Sequence, residues 1–321
     1  MRGVLTVARQ EFRMRLRTGR WKVILAVWLV VVAGFTLLAD AAMTGAGSRG
    51  AGLLAAVMFF VLSLVLVITP ALTAQSINGD RERGTLATLQ VTRLRPADIA
   101  LGKLFAGWLV GLLALVLTVP FAALSLVRGG VNGWGFAIMY GVVALLMGVV
   151  CALCLAISAL VARVVTSAVL SYVVVFALTV GTMLAYLLGS SAFSVGDKVS
   201  QPSGATYYEV RARTEWVWWV FAPNPFVVMI DAAPKAPPRK VVVGDTVQVV
   251  GDDPLWDVAR EIREGRTPRA YPRPEDPASE LPPVWPFGLV VDVLLGVGAV
   301  VVTIRRLRAP VGKLPRGVRI A

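Results

Sequence analysis

This sequence is poor in charged residues and contains no histidine. Only 16% of its 321 residues are charged, against about 25% in a typical soluble domain. The absence of histidine excludes a Ser-His-Asp triad, an HExxH zinc site and a histidine haem ligand. The two cysteines, Cys151 and Cys154, lie in one apolar run and predict no disulfide framework. The two Gly-Lys pairs, Gly102-Lys103 and Gly312-Lys313, lack the upstream glycine and the following Ser or Thr of a phosphate-binding loop. We therefore expect no catalytic site, no metal site and no cofactor bound by this chain.

The composition is instead typical of a membrane protein. Hydrophobic residues make up 57% of the chain, yet the net charge is +13, a combination that suits a multi-pass protein with basic cytoplasmic ends. A span requires about 20 apolar residues, and six runs qualify: residues 21–39, 51–73, 99–127, 134–161, 165–189 and 286–304. The sequence therefore predicts an all-α integral membrane protein with six transmembrane helices.

The distribution of Lys and Arg predicts the orientation of these spans. With the N-terminus inside, the cytoplasmic segments hold 19 of the 32 basic residues and only four of the 19 acidic ones. Positive charge favours the cytoplasmic side, so both termini are expected there. The predicted organisation is an amphipathic helix (1–20), spans one to five (21–189), an extracytoplasmic region (190–285), span six (286–304) and a basic cytoplasmic tail (305–321).

Residues 216–230 are apolar and rich in tryptophan, but they are too short to span and are interrupted by two prolines. If they crossed the membrane, the basic tail would lie outside, against the charge rule. We expect either a dip into the outer interface or a re-entrant turn packed against protein. Within the same external region, residues 240–250 predict a β-hairpin and residues 254–265 a short helix.

The N-terminal segment has the pattern of an amphipathic helix. Apolar residues at positions 4, 7, 8, 12 and 16 recur at helical spacing, and five arginines supply the opposite side. Such a helix is expected to lie on the inner leaflet, where cations are attracted to anionic lipid.

The loop between spans two and three is longer than a turn requires. We predict a short helix within it, at about 78–95. Asp80 is a candidate cap for the charged residues that follow it, and Thr85 is a second one. Leu86 and Leu89 form a small apolar face. Pro96 is predicted to start the next span. The loop is thus expected to project a charged helix with two leucines, a surface suited to docking in a groove.

The run INGDRERGTLATLQVTRLRPADIALGK (residues 77–103) follows a proline-bearing span and resembles the signature region of the ABC-2 type transporter permeases. The order of elements also resembles that family: basic helix, two spans, this loop, three spans, external region, last span. Arg93 departs from the resemblance, since many members have proline near it. The resemblance implies that the loop is a coupling helix that fits a groove on a cytosolic ABC ATPase. The candidate ATPase-coupling residues are Asp80, Glu82, Arg83, Gly84, Thr85, Leu86 and Leu89.

The resemblance further implies an ATP-driven exporter in the bacterial cytoplasmic membrane. This chain would be its permease subunit, paired with a second copy or a paralogue and with two ATPase subunits that bind ATP and Mg²⁺. The N-terminal helix would be the connecting, or elbow, helix. The alternative is a membrane scaffold that transports nothing and binds a partner through its external loop.

Three features within the spans are further candidates. Asp292 is the only acidic residue in a predicted span, so it is either an intramembrane polar site or a residue that bonds a neighbouring helix or the headgroup region. The cysteine pair lies among small residues that favour close helix packing. Gly107 and Gly111 form a GxxxG motif, which indicates close packing within the chain or between two copies.

Overall fold

The computed structural model describes residues 2–17, 19–43, 49–84, 94–200, 206–234, 239–243, 246–250, 254–266 and 281–308. Within these ranges, six helical segments are long and apolar enough to cross a membrane, which confirms the predicted six-span α-helical fold. We number them spans 1 to 6: Trp21–Ala42, Arg49–Glu82, Pro96–Leu117, Gly133–Leu160, Val164–Ala192 and Trp285–Leu307.

The helices are α1 Arg2–Arg17, α2 Gly19–Ala42, α3 Arg49–Thr73, α4 Asn78–Glu82, α5 Pro96–Leu117, α6 Val119–Ala122, α7 Leu124–Arg128, α8 Gly133–Leu160, α9 Val164–Phe176, α10 Thr182–Ala192, α11 Trp218–Phe221, α12 Pro225–Ala232, α13 Pro254–Glu264 and α14 Trp285–Leu307. The described residues outside the spans form two antiparallel hairpins: β1 Ser194–Ser200 with β2 Thr206–Ala212, and β3 Arg239–Val243 with β4 Thr246–Val250.

Span 4, which is α8, lies at the centre of the bundle. In its most apolar window 72% of the residues are buried, against 17% in span 1 and 22% in span 5. The main core forms where α3 packs against α8, and its fully buried members include Met58, Leu62, Met139, Val143 and Leu146. Spans 1 and 5 therefore present most of their apolar surface outward.

Span 3 ends earlier than the sequence predicted. The run 99–127 was expected to be one helix, but α5 ends at Leu117 and two short helices, α6 and α7, follow. Pro120 cannot donate a backbone hydrogen bond and its ring crowds the preceding turn. The Thr118 hydroxyl bonds the Leu115 carbonyl at 2.6 Å. Arg128, the last residue of α7, forms an ion pair with Asp40 near the end of α2.

Span 5 contains a π-helical turn, Ala177–Gly181, between α9 and α10. Such turns leave backbone groups without their usual helical partners. The Asn224 side chain donates to the Thr179 carbonyl at 2.6 Å and to the Thr182 hydroxyl at 2.9 Å. Asn224 also accepts a hydrogen bond from the Phe226 backbone N–H and begins α12.

The segment 216–230 does not form a span. It contains α11 and the greater part of α12, and α12 packs against spans 2, 4 and 6. The expected hairpin at 240–250 is β3 and β4, and the expected short helix is α13. Most of the predicted basic tail, residues 309–321, lies outside the described residues.

A buried aspartate connects α12 and α13 to the start of span 6. Asp231, on α12, is 1% exposed and accepts hydrogen bonds from the backbone N–H groups of Val284 (2.7 Å) and Trp285 (2.8 Å), where α14 begins. It also pairs with Arg263 of α13 at 2.6 Å. Asp231 therefore joins α12, α13 and the start of span 6.

Candidate functional site

The predicted coupling loop begins at the end of the bundle that carries α1 and α4, which we call the basal end. Helix α4 follows α3 after a short turn. The backbone N–H groups of Ile77 and Asn78 both donate to the Ser158 hydroxyl, at 3.1 and 3.2 Å. N–H groups at a helix start have no acceptor within the helix. Ser158, at the end of α8, therefore fixes the start of α4.

The centre of the site is Lys103, a lysine that is only 1% exposed. Its ammonium group donates to Glu11 of α1 at 2.6 Å, to Asp80 of α4 at 2.5 Å and to the Ser76 carbonyl at 3.1 Å. A buried ammonium group is tolerated when it is paired and hydrogen-bonded. Lys103 thereby ties α1, the turn before α4 and α5 together, and we call Lys103, Glu11 and Asp80 the basal cluster.

Helix α1 packs against protein as well as following the expected amphipathic pattern. Val7 and Ala8 are buried, and α1 packs along α5. At Gly102 an added Cβ would lie 2.6 Å from Val7 Cβ, so only glycine permits this approach. Val7 and Ala8 of the apolar face therefore pack against α5, and the expectation that α1 lies on the inner leaflet stays a prediction.

The candidate coupling residues that the structure describes occupy different environments. Asp80 does not cap a helix as predicted, because α4 already starts at Asn78 and the Asp80 carboxylate is bound by Lys103. Arg83 pairs with Asp80 at 3.1 Å while its side chain stays 65% exposed. Gly84 ends the helical turn with φ +69°, a conformation that favours glycine.

Glu82 is exposed, and its carboxylate accepts a hydrogen bond from the Val164 backbone N–H at 3.3 Å, where α9 begins. Glu82 thus connects the end of α4 to the start of span 5. The remaining candidates, Thr85, Leu86 and Leu89, lie outside the described residues, as does half of the segment predicted for the coupling helix at 78–95.

Sequence reasoning missed the roles of Glu11, Lys103 and Ser158. The available signal was Lys103 itself, since a lysine in the second turn of an apolar helix requires either water or an acidic partner. Ser158 is one of the small residues around the cysteine pair, for which the sequence predicted only close helix packing. Pro96 does start α5 as predicted, and Asp98 accepts a hydrogen bond from the Arg95 backbone N–H at 3.1 Å.

The candidates within the spans have separate surroundings. Asp292 is 0% exposed, and among the described residues neither of its carboxylate oxygens has a hydrogen-bond partner. Cys151 and Cys154 are buried cysteines of α8 that are not joined in a disulfide. In the GxxxG motif, Gly111 closely approaches Met147 of α8, whereas the nearest atom to a Cβ at Gly107 is 3.8 Å away on Thr73. These glycine contacts are within one chain.

The six-span fold agrees with the result of a comparison to known protein families. Residues 40–262, more than half of the chain, match the profile of the ABC-2 family transporter proteins. The chain belongs to this family. Comparison with curated proteins gives no match. The chain is accordingly a multi-pass membrane permease of the ABC-2 transporter family, a family that works with ABC ATPase partners in general. The matched region includes α4 and Lys103, while Glu11 and Asp292 lie outside it.

Proposed function

We propose that this chain is the permease subunit of an ATP-driven exporter in the bacterial cytoplasmic membrane, with its basal end in the cytoplasm. It acts as a dimer, with a second copy or a paralogue, and two cytosolic ABC ATPase subunits bind ATP and Mg²⁺. The chain itself has no catalytic role. Its task is to convert the movement of the ATPase subunits into a change of access across the membrane.

The observation that carries this proposal is the bracing of α4. A helix that transmits force from a bound ATPase must be attached firmly to the spans that move. Ser158 binds its first turn from span 4, Lys103 binds Asp80 from span 3, and Glu82 reaches the start of span 5. Directly after α4, the Arg83 side chain is exposed and charged, and such a group can fix the register of a docked partner.

The proposed mechanism follows from these connections. Closure of the ATPase dimer would press on residues 78–95, and α4 would pass the displacement to spans 2, 3, 4 and 5 together. Glu11 links α1 to the same cluster, so the N-terminal helix would move as part of this unit. Packed helices switch between discrete arrangements rather than deforming continuously, which suits alternating access.

The test is a mild-detergent pull-down of the tagged chain from its native host, using Glu82 variants. Glu82→Lys reverses the charge and removes the acceptor for the Val164 N–H, while Glu82→Gln keeps an acceptor oxygen there. Arg83→Glu reverses a charge on the exposed side without touching that hydrogen bond. We expect a stoichiometric ABC ATPase with the wild type and with Glu82→Gln, and at least a tenfold lower yield with Glu82→Lys and Arg83→Glu.

Two results would count against the proposal. Normal recovery of the ATPase with both charge reversals would remove α4 as the coupling site. A clean preparation of the wild-type chain at normal expression, without any ATPase, would favour the scaffold that transports nothing.

A further inference from the structure

An apolar groove lies within the membrane-spanning part of the bundle, lined by residues of spans 3, 4 and 6. Its volume is about 340 Å³, and Val293, Val297 and Val301 of α14 are lining residues whose side chains are exposed. All of the lining side chains are apolar, and the one nitrogen among them, Trp108 Nε1, donates to the Ala144 carbonyl at 2.8 Å. The groove therefore offers contacts to hydrocarbon and none to a polar ligand.

Two arginines follow this groove at the end of α14. Leu307 belongs to the same buried cluster as Ile77, which directly precedes α4, so α14 ends at the basal end of the bundle. Arg305 and Arg308 come four and seven positions after the lining residue Val301. At about 100° per residue, they lie within about 40° of Val301 around the helix axis. Both side chains are exposed.

The groove lies at the depth of a single leaflet. Along α14 it extends from Val301 to Val293, eight positions apart, or about 12 Å. Arg305 lies about 6 Å beyond Val301, and arginine side chains at the end of a span reach the headgroup region. One leaflet contributes about 15 Å of hydrocarbon, half of a core of about 30 Å. The groove is therefore mostly within the acyl chains of the leaflet at the basal end.

The acidic residues of the three helices that line the groove are engaged or covered. These helices contain two of them, Asp98 and Asp292. Asp292 is 0% exposed. The Asp98 carboxylate accepts a hydrogen bond from the Arg95 backbone N–H at 3.1 Å and is closely approached by Gly3 of α1. Within the described chain, no ion pair joins either carboxylate to the two arginines that follow the groove.

We propose that this groove binds an anionic phospholipid, with one acyl chain along the apolar lining and the phosphate beside Arg305 and Arg308. The lining accepts a hydrocarbon chain, and the two cations lie at the depth where a lipid of that leaflet carries its phosphate. A zwitterionic lipid offers the same chain but no net charge to the arginines. A helix of a second copy is a poorer occupant, because the segments of this chain predicted on that side are themselves strongly basic.

This site goes beyond the proposed transport function and takes from it only the placement of the basal end in the cytoplasm. Anionic lipid gives the cytoplasmic leaflet its negative surface potential, so the ligand is present where the arginines lie. A lipid in the groove contacts spans 3, 4 and 6 at once. The packing of these spans would then depend on the anionic lipid content of the membrane.

The test measures quenching of tryptophan fluorescence by lipids with brominated acyl chains, using the purified full chain in phosphatidylcholine vesicles. The two matched probes are brominated phosphatidylglycerol, which is anionic, and brominated phosphatidylcholine with the same chains. The part of the quenching that disappears in Trp108→Phe reports the groove, because Trp108 lines it. We expect the wild type to prefer the anionic probe at least fivefold, since one cation near an anionic headgroup corresponds to about fivefold in binding.

Two pairs of variants separate the headgroup contact from the groove. Arg305→Gln should lower the preference at least threefold. Its matched control is Arg306→Gln, because Arg306 is also exposed but lies about 140° from Val301 around the helix, and this change should alter the preference less than twofold. Val297→Phe narrows the groove and should lower binding of both probes at least threefold. Its control is Val302→Phe, at an exposed position outside the lining, which should leave binding unchanged.

Equal binding of the two probes by the wild type would overturn the proposal, and this comparison requires no variant. Equal losses in Arg305→Gln and Arg306→Gln would overturn it as well. Light scattering of the same preparations in detergent gives their oligomeric state. If Val297→Phe separated a wild-type dimer into monomers and left lipid binding unchanged, the groove would belong to a second copy and the proposal would be wrong. The assay uses neither ATP nor the ATPase, so its failure is distinguishable from failure of the Glu82 pull-down.

Discussion

Replacing Lys103 with methionine should destabilise the basal end more than any other single change of a basic residue in the described chain. Methionine keeps the apolar stem but leaves the carboxylates of Glu11 and Asp80 facing each other without their shared cation. Removing one partner of a buried ion pair costs about 3–5 kcal/mol. The two carboxylate side chains are 19% and 14% exposed, so water recovers part of this loss, and we expect a cost of about 2–4 kcal/mol.

The design includes a second variant and a matched control. Adding Asp80→Asn removes one of the two carboxylates that Lys103 neutralises in the wild type. The double variant should therefore be less destabilised than the sum of the two single effects, by about 1–3 kcal/mol. Lys22→Met is the control, because Lys22 is exposed on α2 and its loss should change stability by no more than about 0.5 kcal/mol.

The measurement is unfolding of the purified chain by SDS titration in mixed micelles, followed by the fluorescence of its nine tryptophans. Additive effects of Lys103→Met and Asp80→Asn would refute the reasoning, because the cluster would then carry no coupling energy. A cost for Lys103→Met that equals the cost for Lys22→Met would refute it as well.

Two further variants test helix packing and the opposite end of the bundle. Gly102→Val should push α1 away from α5 at the contact with Val7 and lower stability by about 1–3 kcal/mol through overpacking. Gly141→Val is the control and should be nearly neutral, because no atom lies within 4 Å of a Cβ added there. Equal melting temperatures of the two variants would contradict this prediction. Asp231→Asn should lower stability by about 3–5 kcal/mol, because Arg263 loses the carboxylate that is its buried partner. The expected readout is faster proteolysis within residues 254–266. Unchanged proteolysis would argue against Asp231 holding α13 in place.

The features that the sequence predicted correctly are those encoded locally. Six apolar runs predicted six spans because a bilayer requires a fixed length of apolar helix. Pro96 predicted the start of α5 because proline is well suited to the first turn of a helix. The hairpin at 240–250 was visible in the alternation of β-branched residues around a turn signal.

The features that the sequence did not predict depend on residues far apart in the chain. Lys103 and Glu11 are separated by 92 positions, and Ser158 lies 80 positions from Asn78. No periodicity connects such pairs, because they meet only when α1, α5 and α8 are packed. The predicted end of span 3 was wrong for a different reason. Pro120 is tolerated in many membrane helices, so the apolar run alone did not indicate that α5 stops at Leu117.

The attachment of α4 to later parts of the chain sets an order for synthesis. Helix α4 is complete at Glu82, but its acceptor Ser158 and the Val164 N–H follow roughly 80 residues later. At about 5–20 residues per second, this delay is about 4–16 s. During that interval α4 has neither Ser158 nor Val164 to hold it. A partner that recognises the braced form of α4 would therefore bind only chains in which span 4 has been made and span 5 has begun. Recruitment of the partner would itself select chains that have passed this point of synthesis.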